Sequence, residues 1–153
     1  MTTLDALDVA ILRELQRDAR RTNRDIAAAV GVSPTTALDR TRSLRGRGVI
    51  RGARLEVDLA AIGRSVQALI AVRIRPPSRT NIDGFRSWVL ELDETVGLFV
   101  VTGDEDFLLH VAVADNDALY SFVIDRLTER DEVADVRTSV VYEHVEARMI
   151  GPV

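Results

Sequence analysis

At 153 residues and 46% apolar content, the chain is long enough for one ordinary domain or two small ones with real cores. It has no cysteine, which excludes disulfides and thiolate metal sites. The formal charge of −4 divides unevenly: residues 1–54 hold 11 Arg against 6 Asp and Glu, a balance of +5, and residues 55–153 hold 9 Arg against 18, a balance of −9.

In chain order, Leu4, Leu7, Ile11, Leu12 and Leu15 recur at three- and four-residue steps, which predicts an amphipathic helix. The acids and arginines at helical spacing from Met1 to Arg21 are not those of a signal peptide. Thr22 and Asp25 form a capping-box pattern before Ile26, Ala27 and Val30, so a second helix starts there and stops at Gly31. Ser33–Pro34 supplies an N-cap and a first-turn proline for a third helix, with Ala37, Thr41 and Leu44 on one face. Helix, glycine-containing turn, helix is the helix-turn-helix pattern.

From Val49 to Asp58 the chain is expected to be extended, and from Leu59 to Gly63 to form a short helical turn or loop. Val66, Ala68, Ile70, Val72 and Ile74 then occupy alternate positions, the period of a strand, ended by Pro76–Pro77. A helix carrying Ile82, Phe85, Val89 and Leu92 is expected to start at Thr80, with Asp83 three residues on. Strands follow at Val96 to Thr102 and Phe107 to Ala114, joined by the turn Gly103 to Asp106. Asn116 is the expected cap of a helix bearing Leu119, Val123 and Leu127, and a last strand is expected from about Val136 to Val145. The order strand, helix, strand, strand, helix, strand is the ferredoxin-like split βαβ arrangement. The fold class is therefore α+β: a helix-turn-helix domain, winged-helix-like, at 1–60, and a βαββαβ domain at 61–153. No apolar run approaches the roughly 20 residues of a membrane span, so a cytoplasmic protein without a membrane partner is expected.

The basic head suits a polyanion. At about 100° per residue, the third helix turns Thr35, Asp39, Arg42 and Gly46 away from its core face. Thr36, Leu38, Ser43, Arg45 and Arg47 flank them. A recognition helix presents N-terminal residues to base edges in the major groove, so Thr35, Thr36, Leu38, Asp39 and Arg42 are the readout candidates. Arg can fork onto guanine, Thr can hydrogen-bond or touch a thymine methyl, and Leu38 can do only the latter. Arg45, Arg47 and Arg51 cluster where phosphates would lie. Thr22, Asn23 and Arg24 stand at a helix start whose free amides suit a phosphate. Capping fully accounts for Thr22, Gly31, Ser33 and Pro34 without DNA, and Arg40, nearer the core edge, fits an internal ion pair as well as a DNA contact. All 20 basic residues are Arg, so placement says more than residue type.

The chain resembles the Lrp/AsnC family of regulators over essentially its whole length. The resemblance rests on Leu7-Asp8, Ile11-Leu12, Leu15-Gln16-Arg17-Asp18-Ala19-Arg20, Ile26-Ala27, Val30 to Thr36, Arg40, Leu44, Gly48-Val49-Ile50, Asp58 and Gly63. The turn Thr102-Gly103-Asp104-Glu105-Asp106-Phe107 resembles the family's glycine–aspartate loop. The resemblance implies a sequence-specific transcriptional regulator binding double-stranded DNA. It also implies a homodimer assembled into tetramers or octamers, with an amino acid or related effector bound between dimers beside that loop. An amino acid needs an acid for its ammonium and NH donors for its carboxylate; Asp104 and Asp106 offer the first and the backbone near Gly103 the second. Thr138 and Ser139 are hydroxyl candidates on opposite faces of the last strand, although Gly and Asp are also ordinary turn residues. Glu105 departs from the aromatic or histidine of many relatives, Ala53 from the usual aromatic after Ile50-Arg51-Gly52, and Gly46 weakens the end of the third helix.

No cofactor or metal is expected. Two other functions fit the layout: an enzyme on the same scaffold, similar to the siroheme decarboxylases, and an oligomeric ligand-binding module that has lost DNA binding. The enzyme needs proton donors in an apolar pocket, for which His110 and His144 are the only histidines; His110 is expected as a packed core residue. No triad or metal-site spacing is present.

Overall fold

The computed structural model describes residues 3–145 and 149–151. The chain forms two compact units: Met1–Glu56 with the C-terminal Val145–Val153, and Val57–His144. The C-terminal segment, expected with the second domain, thus groups with the first.

In the head unit, α1 (Ala6–Arg17) begins at Asp5, whose carboxylate accepts from the Asp8 amide at 2.8 Å. The second helix, α2 (Asn23–Val30), has the full capping box between Thr22 and Asp25 and ends at Gly31, whose φ of 74° only glycine adopts without strain. The third, α3 (Pro34–Gly46), starts at Ser33, which accepts from the Thr36 amide at 3.1 Å. Ile11, Ile26, Ala27, Ala37 and Leu44 form a buried centre, ringed by half-buried Leu4, Leu7, Leu12, Leu15, Val30, Val32, Val49 and Ile50. Each fully buried Ile or Leu contributes about 1.5–3 kcal/mol. This small core holds three helices whose ends are satisfied locally. The segment from Val49 to Asp58, expected to be extended, pairs as no strand: a strand needs a neighbour to pair with, and none of the described residues supplies one here.

The second unit opens with a 3-10 turn at Ala60–Ile62, capped by Asp58 and ended by Gly63. Its antiparallel sheet has the order β2-β3-β1-β4, where β1 is Val66–Ile74, β2 Thr95–Val100, β3 Phe107–Val113 and β4 Val133–Val141. Helices α4 (Arg79–Val89) and α5 (Asn116–Ser121), the latter continued by a π-helical turn at Phe122–Leu127, complete the expected βαββαβ order. Ala68, Ile70, Val72 and Ile74 from β1 and Phe107, Leu109 and Val111 from β3 pack with Phe85, Val89, Leu119, Phe122 and Leu127. The alternation that predicted β1 is the alternation of burial along it.

Several expected boundaries move for local reasons. The cap of α4 is Ser78, not Thr80: Ser78 follows Pro76–Pro77 in extended backbone and accepts from the Asn81 amide at 3.1 Å. Asp83 pairs with Arg86 at 3.0 Å instead of capping, and Leu92 lies beyond the helix end. Asp115, not Asn116, caps α5, accepting from the Ala118 amide at 2.8 Å. The π turn then places Phe122 and Leu127, five residues apart, on the buried face, leaving Val123 half-buried. The last strand runs over Val133–Val141, not 136–145, because its length is set by pairing to β1, from Ile74↔Val133 to Gln67↔Val141.

Candidate nucleic-acid interface and effector pocket

In the head, α3 buries Ala37, Thr41 and Leu44 and exposes Thr35, Asp39, Arg42, Ser43, Arg45 and Gly46, the faces read from its period. Thr36 and Leu38 are half-buried, and Ser33 is tied to Thr36 by its cap and by a 2.8 Å hydroxyl–hydroxyl contact. Pro34 is exposed at the first turn. Arg42 and Arg45 form no ion pair among the described residues, nor do Arg24 at the start of α2 and Arg51 beyond α3. Thr22 is occupied by its capping box, and Asn23 is half-buried beside it.

Arg40 and Arg47, both candidates for DNA contact, are turned inward. Arg40 donates to Asp5 at 2.6 Å and Asp8 at 3.2 Å; Arg47 donates to the other oxygen of Asp8 at 3.1 Å and to the Thr3 carbonyl at 2.7 Å. The Asp8 residue is only 1% exposed. One buried carboxylate therefore clamps α3 to α1 through two guanidinium groups, which offsets its desolvation. The Asp8 amide and the Arg40 side chain hold the Asp5 carboxyl below its ordinary 3.8. Asp25 is lowered likewise by the Thr22 hydroxyl and amide. Sequence reasoning assigned Asp5 and Asp8 no role, although Asp5-Ala6-Leu7-Asp8 before a periodic apolar run is an N-cap signal.

The loop between β2 and β3 is held by its own atoms. Asp106 accepts from the Ile74 amide at 2.7 Å and lies 3.6 Å from Arg75, so its carboxylate, expected to receive an ammonium group, is committed to the end of β1. The Arg73 side chain donates to the Asp104 carbonyl at 2.8 Å, and the exposed Thr102, Gly103 and Asp104 form the tip, with Gly103 at φ 129°. Glu105 turns the other way: it pairs with Arg137, and both line a concavity of about 330 Å3 with Leu69, Ala71, Leu108 and Ser139. Thr138 is in register with the buried Ile70 and faces away from that concavity. Of the effector candidates the structure brings together Glu105 and Ser139, and adds Arg137, which a period-two step back from Ser139 would have found.

His110, expected in the core, lies half-buried on the sheet face opposite the core, its ring nitrogen 2.9 Å from the Gln67 amide oxygen and its centroid 5.6 Å from that of His144. Partial burial, and the nearby His144, lower its pKa below 6.5. Among the described residues no group of three or more His, Cys, Asp and Glu is placed to hold a metal, and no helix is long and apolar enough to cross a membrane.

Comparison with known proteins gives this geometry a context. The profile of the AsnC-type helix-turn-helix domain matches residues 4–45, and that of the Lrp/AsnC ligand binding domain matches residues 67–150. The HTH-type transcriptional regulator AldR of Mycolicibacterium smegmatis is 37% identical over 93% of this chain and 83% of its own. The leucine-responsive regulatory protein of Rhizobium meliloti is 36% identical over 94% and 92%. Among solved structures, a Neisseria meningitidis transcriptional regulator in complex with L-Met superposes with a TM-score of 0.87 at 30% identity, covering 95% of this chain and 94% of that one. E. coli AsnC superposes with a TM-score of 0.86 at 28% identity, covering 99% and 100%. With both domain profiles in order and full-length relatives on either side, the chain belongs to the Lrp/AsnC family of helix-turn-helix transcriptional regulators.

Proposed function

We propose that the head reads an operator through the outward face of α3, with Thr35, Thr36, Leu38, Asp39 and Arg42 toward base edges and Arg45, Arg24 and Arg51 toward phosphates. The observation that carries this is a division of labour among arginines. Arg40 and Arg47 fix α3 against the buried Asp8, while Arg42 and Arg45 stand exposed and unpaired among the described residues. An arginine held in no internal ion pair has none to break on meeting guanine or phosphate, and its cost is limited to lost hydration and side-chain freedom. The test is an electrophoretic mobility shift on a duplex enriched by this protein from a random pool. Arg42→Ala is expected to cost about 1–3 kcal/mol and relax the preference at one position. An Arg42→Ala protein with unaltered affinity and preference removes that residue from the readout.

The sheet unit is the sensing and pairing part. Its helix-free face exposes Phe99 at 60%, apolar area beside the effector concavity that a second copy would cover. Pairing of two chains there gives a two-fold particle whose recognition helices meet successive major grooves about 34 Å apart, on a palindromic site. The effector is an α-amino acid. Glu105 and Arg137, which pair with each other without ligand, would open to take its ammonium and carboxylate groups, with Ser139 adding a hydroxyl, over an apolar floor of Leu69, Ala71 and Leu108. The L-Met complex of the Neisseria relative supports this class of ligand. Screening the twenty amino acids singly by thermal shift is expected to find at least one that raises Tm, with the gain lost in Arg137→Ala. A full screen without response, or a response retained in that variant, would overturn the pocket assignment. Regulation then follows from different effector affinity for different assembly states. The regulators among the relatives support binding rather than turnover.

A further inference from the structure

The head carries a largely apolar groove of about 740 Å3, whose lining also includes Arg45 and Arg51, the arginines proposed above for phosphates. Its walls are Leu4, Leu12, Leu15, Val49 and Ile50, and Ile150 of the C-terminal segment lies along it. The Gln16 side-chain amide holds that segment by its main chain: its NH2 donates to the Ile150 carbonyl at 3.0 Å, and its oxygen accepts from the Ile150 N–H at 2.8 Å. This is the pairing a neighbouring strand would offer, made here by one side chain across 134 positions of sequence. The Ile150 side chain is 76% exposed, so recognition is of backbone.

We propose that the C-terminal segment is a strap that docks in cis on the head through Gln16 and steadies the recognition helix. Gln16 and Asp8 lie on the same helix, about 12 Å apart along its axis. Asp8 is the clamp on Arg40 of α3 and Arg47 at its C-cap. The docked strap therefore bears on the same rigid helix that sets where α3 stands. Because the chain leaves the sheet unit at His144 and enters the head unit at Val145, the strap is also a second covalent connection between the unit that would bind effector and the unit that would bind DNA. The coupling half of the proposal rests on the DNA reading above; the docking half does not.

Because Ile150 contributes its backbone and Gln16 its side chain, two substitutions separate docking from general damage. Gln16→Ala removes both hydrogen bonds at an exposed helical site where alanine is a good helix former. Ile150→Ala removes a mostly exposed side chain and leaves both bonds. By hydrogen–deuterium exchange, the C-terminal peptide is expected to exchange several-fold faster in Gln16→Ala than in wild type, with Ile150→Ala like wild type; equal rates in all three would overturn docking. The chain has no cysteine, so an Ala19→Cys, Ile150→Cys double variant, which keeps Gln16 and both bonds and uses two residues that line the groove, can be joined by a short bis-maleimide. A crosslink within one chain is expected; a crosslinked dimer would place a second copy's segment in the groove, and either that or no crosslink would overturn the cis strap. On the enriched duplex Gln16→Ala is expected to bind at least threefold more weakly than Ile150→Ala; equal affinity of the two would overturn the coupling. A wild type that binds no duplex would count against both the coupling and the proposed DNA reading, while exchange and crosslinking still decide docking.

Discussion

Asp8 shows what one buried acid does for a basic domain. At 1% exposure it is matched by two guanidinium groups, Arg40 of α3 and Arg47 at its C-cap, so removing it strands both. Asp8→Ala is expected to destabilise the head by about 2–3 kcal/mol, below the full cost of a broken buried pair because Arg40 and Arg47 retain solvent contact. Chemical denaturation of wild type and variant measures this; a change under about 0.5 kcal/mol would show that the clamp does not hold α3. Thr41 presents the reverse case. Its hydroxyl is buried on the inner face of α3 with no hydrogen-bond partner among the described residues. Thr41→Val is expected to leave stability unchanged or raise it by about 1 kcal/mol, since an unsatisfied hydroxyl costs about 1–3 kcal/mol to bury. A clear loss of stability would mean that the hydroxyl has a partner in solution.

At the scale of elements, the caps contribute to the acid sensitivity of the head. The Asp5 and Asp25 carboxyls are both held below their ordinary 3.8 by the amides and side chains they bind. A depressed carboxyl contributes stability that is present above its unfolded value and lost as pH falls through the folded one. The head is therefore expected to lose helix content by circular dichroism as pH falls below about 4, and Asp25→Asn to flatten that loss. The sheet unit has a separate window. His110 is lowered from 6.5, so its neutral form favours the fold, and stability declines as pH falls from 6.5 to the folded value and then levels. His110→Gln is expected to remove that step; an identical step in the variant assigns it to another group.

The same scale shows what was legible beforehand. Thr22 with Asp25, Ser33–Pro34 and Gly31 announce α2 and α3 because capping is local chemistry written within four residues. The alternation from Val66 to Ile74 announces β1 because one of its faces is buried. The end of β4 could not be read, since it depends on where β1 begins to pair, at Gln67 opposite Val141, rather than on its own residues. Nor could the π turn, which moves burial from Val123 to Phe122 through a backbone choice with no compositional mark. Within the candidate sites, the outward face of α3 followed from period alone. So did the internal ion pair offered for Arg40, from its place near the core edge, although not its partner; the fates of Arg47, Asp106 and Arg137 did not, because ion pairs across 31 or more positions of sequence are made by tertiary packing.

At the scale of the whole molecule, a net charge of −4 conceals a basic head and an acidic sheet unit. The +5 balance of residues 1–54 favours a polyanion, while the acidic remainder discourages indiscriminate adhesion to it. DNA binding by such a molecule is driven by counterion release and weakens steeply with salt. Family membership, the three-helix head and the split βαβ sheet unit agree on this plan. What remains specific to this chain is which arginines hold the helix and which face outward.

The most direct measurement is the affinity of wild type and Arg42→Ala for the enriched duplex and a scrambled one, over a range of salt. The expected result is a wild type that prefers the enriched duplex and binds more weakly as salt rises, beside a variant that keeps most of its scrambled-duplex affinity but loses about 1–3 kcal/mol of preference. A wild type with no preference, or an Arg42→Ala protein that discriminates as well as wild type, would contradict the assignment of the outward face of α3 as the reading surface.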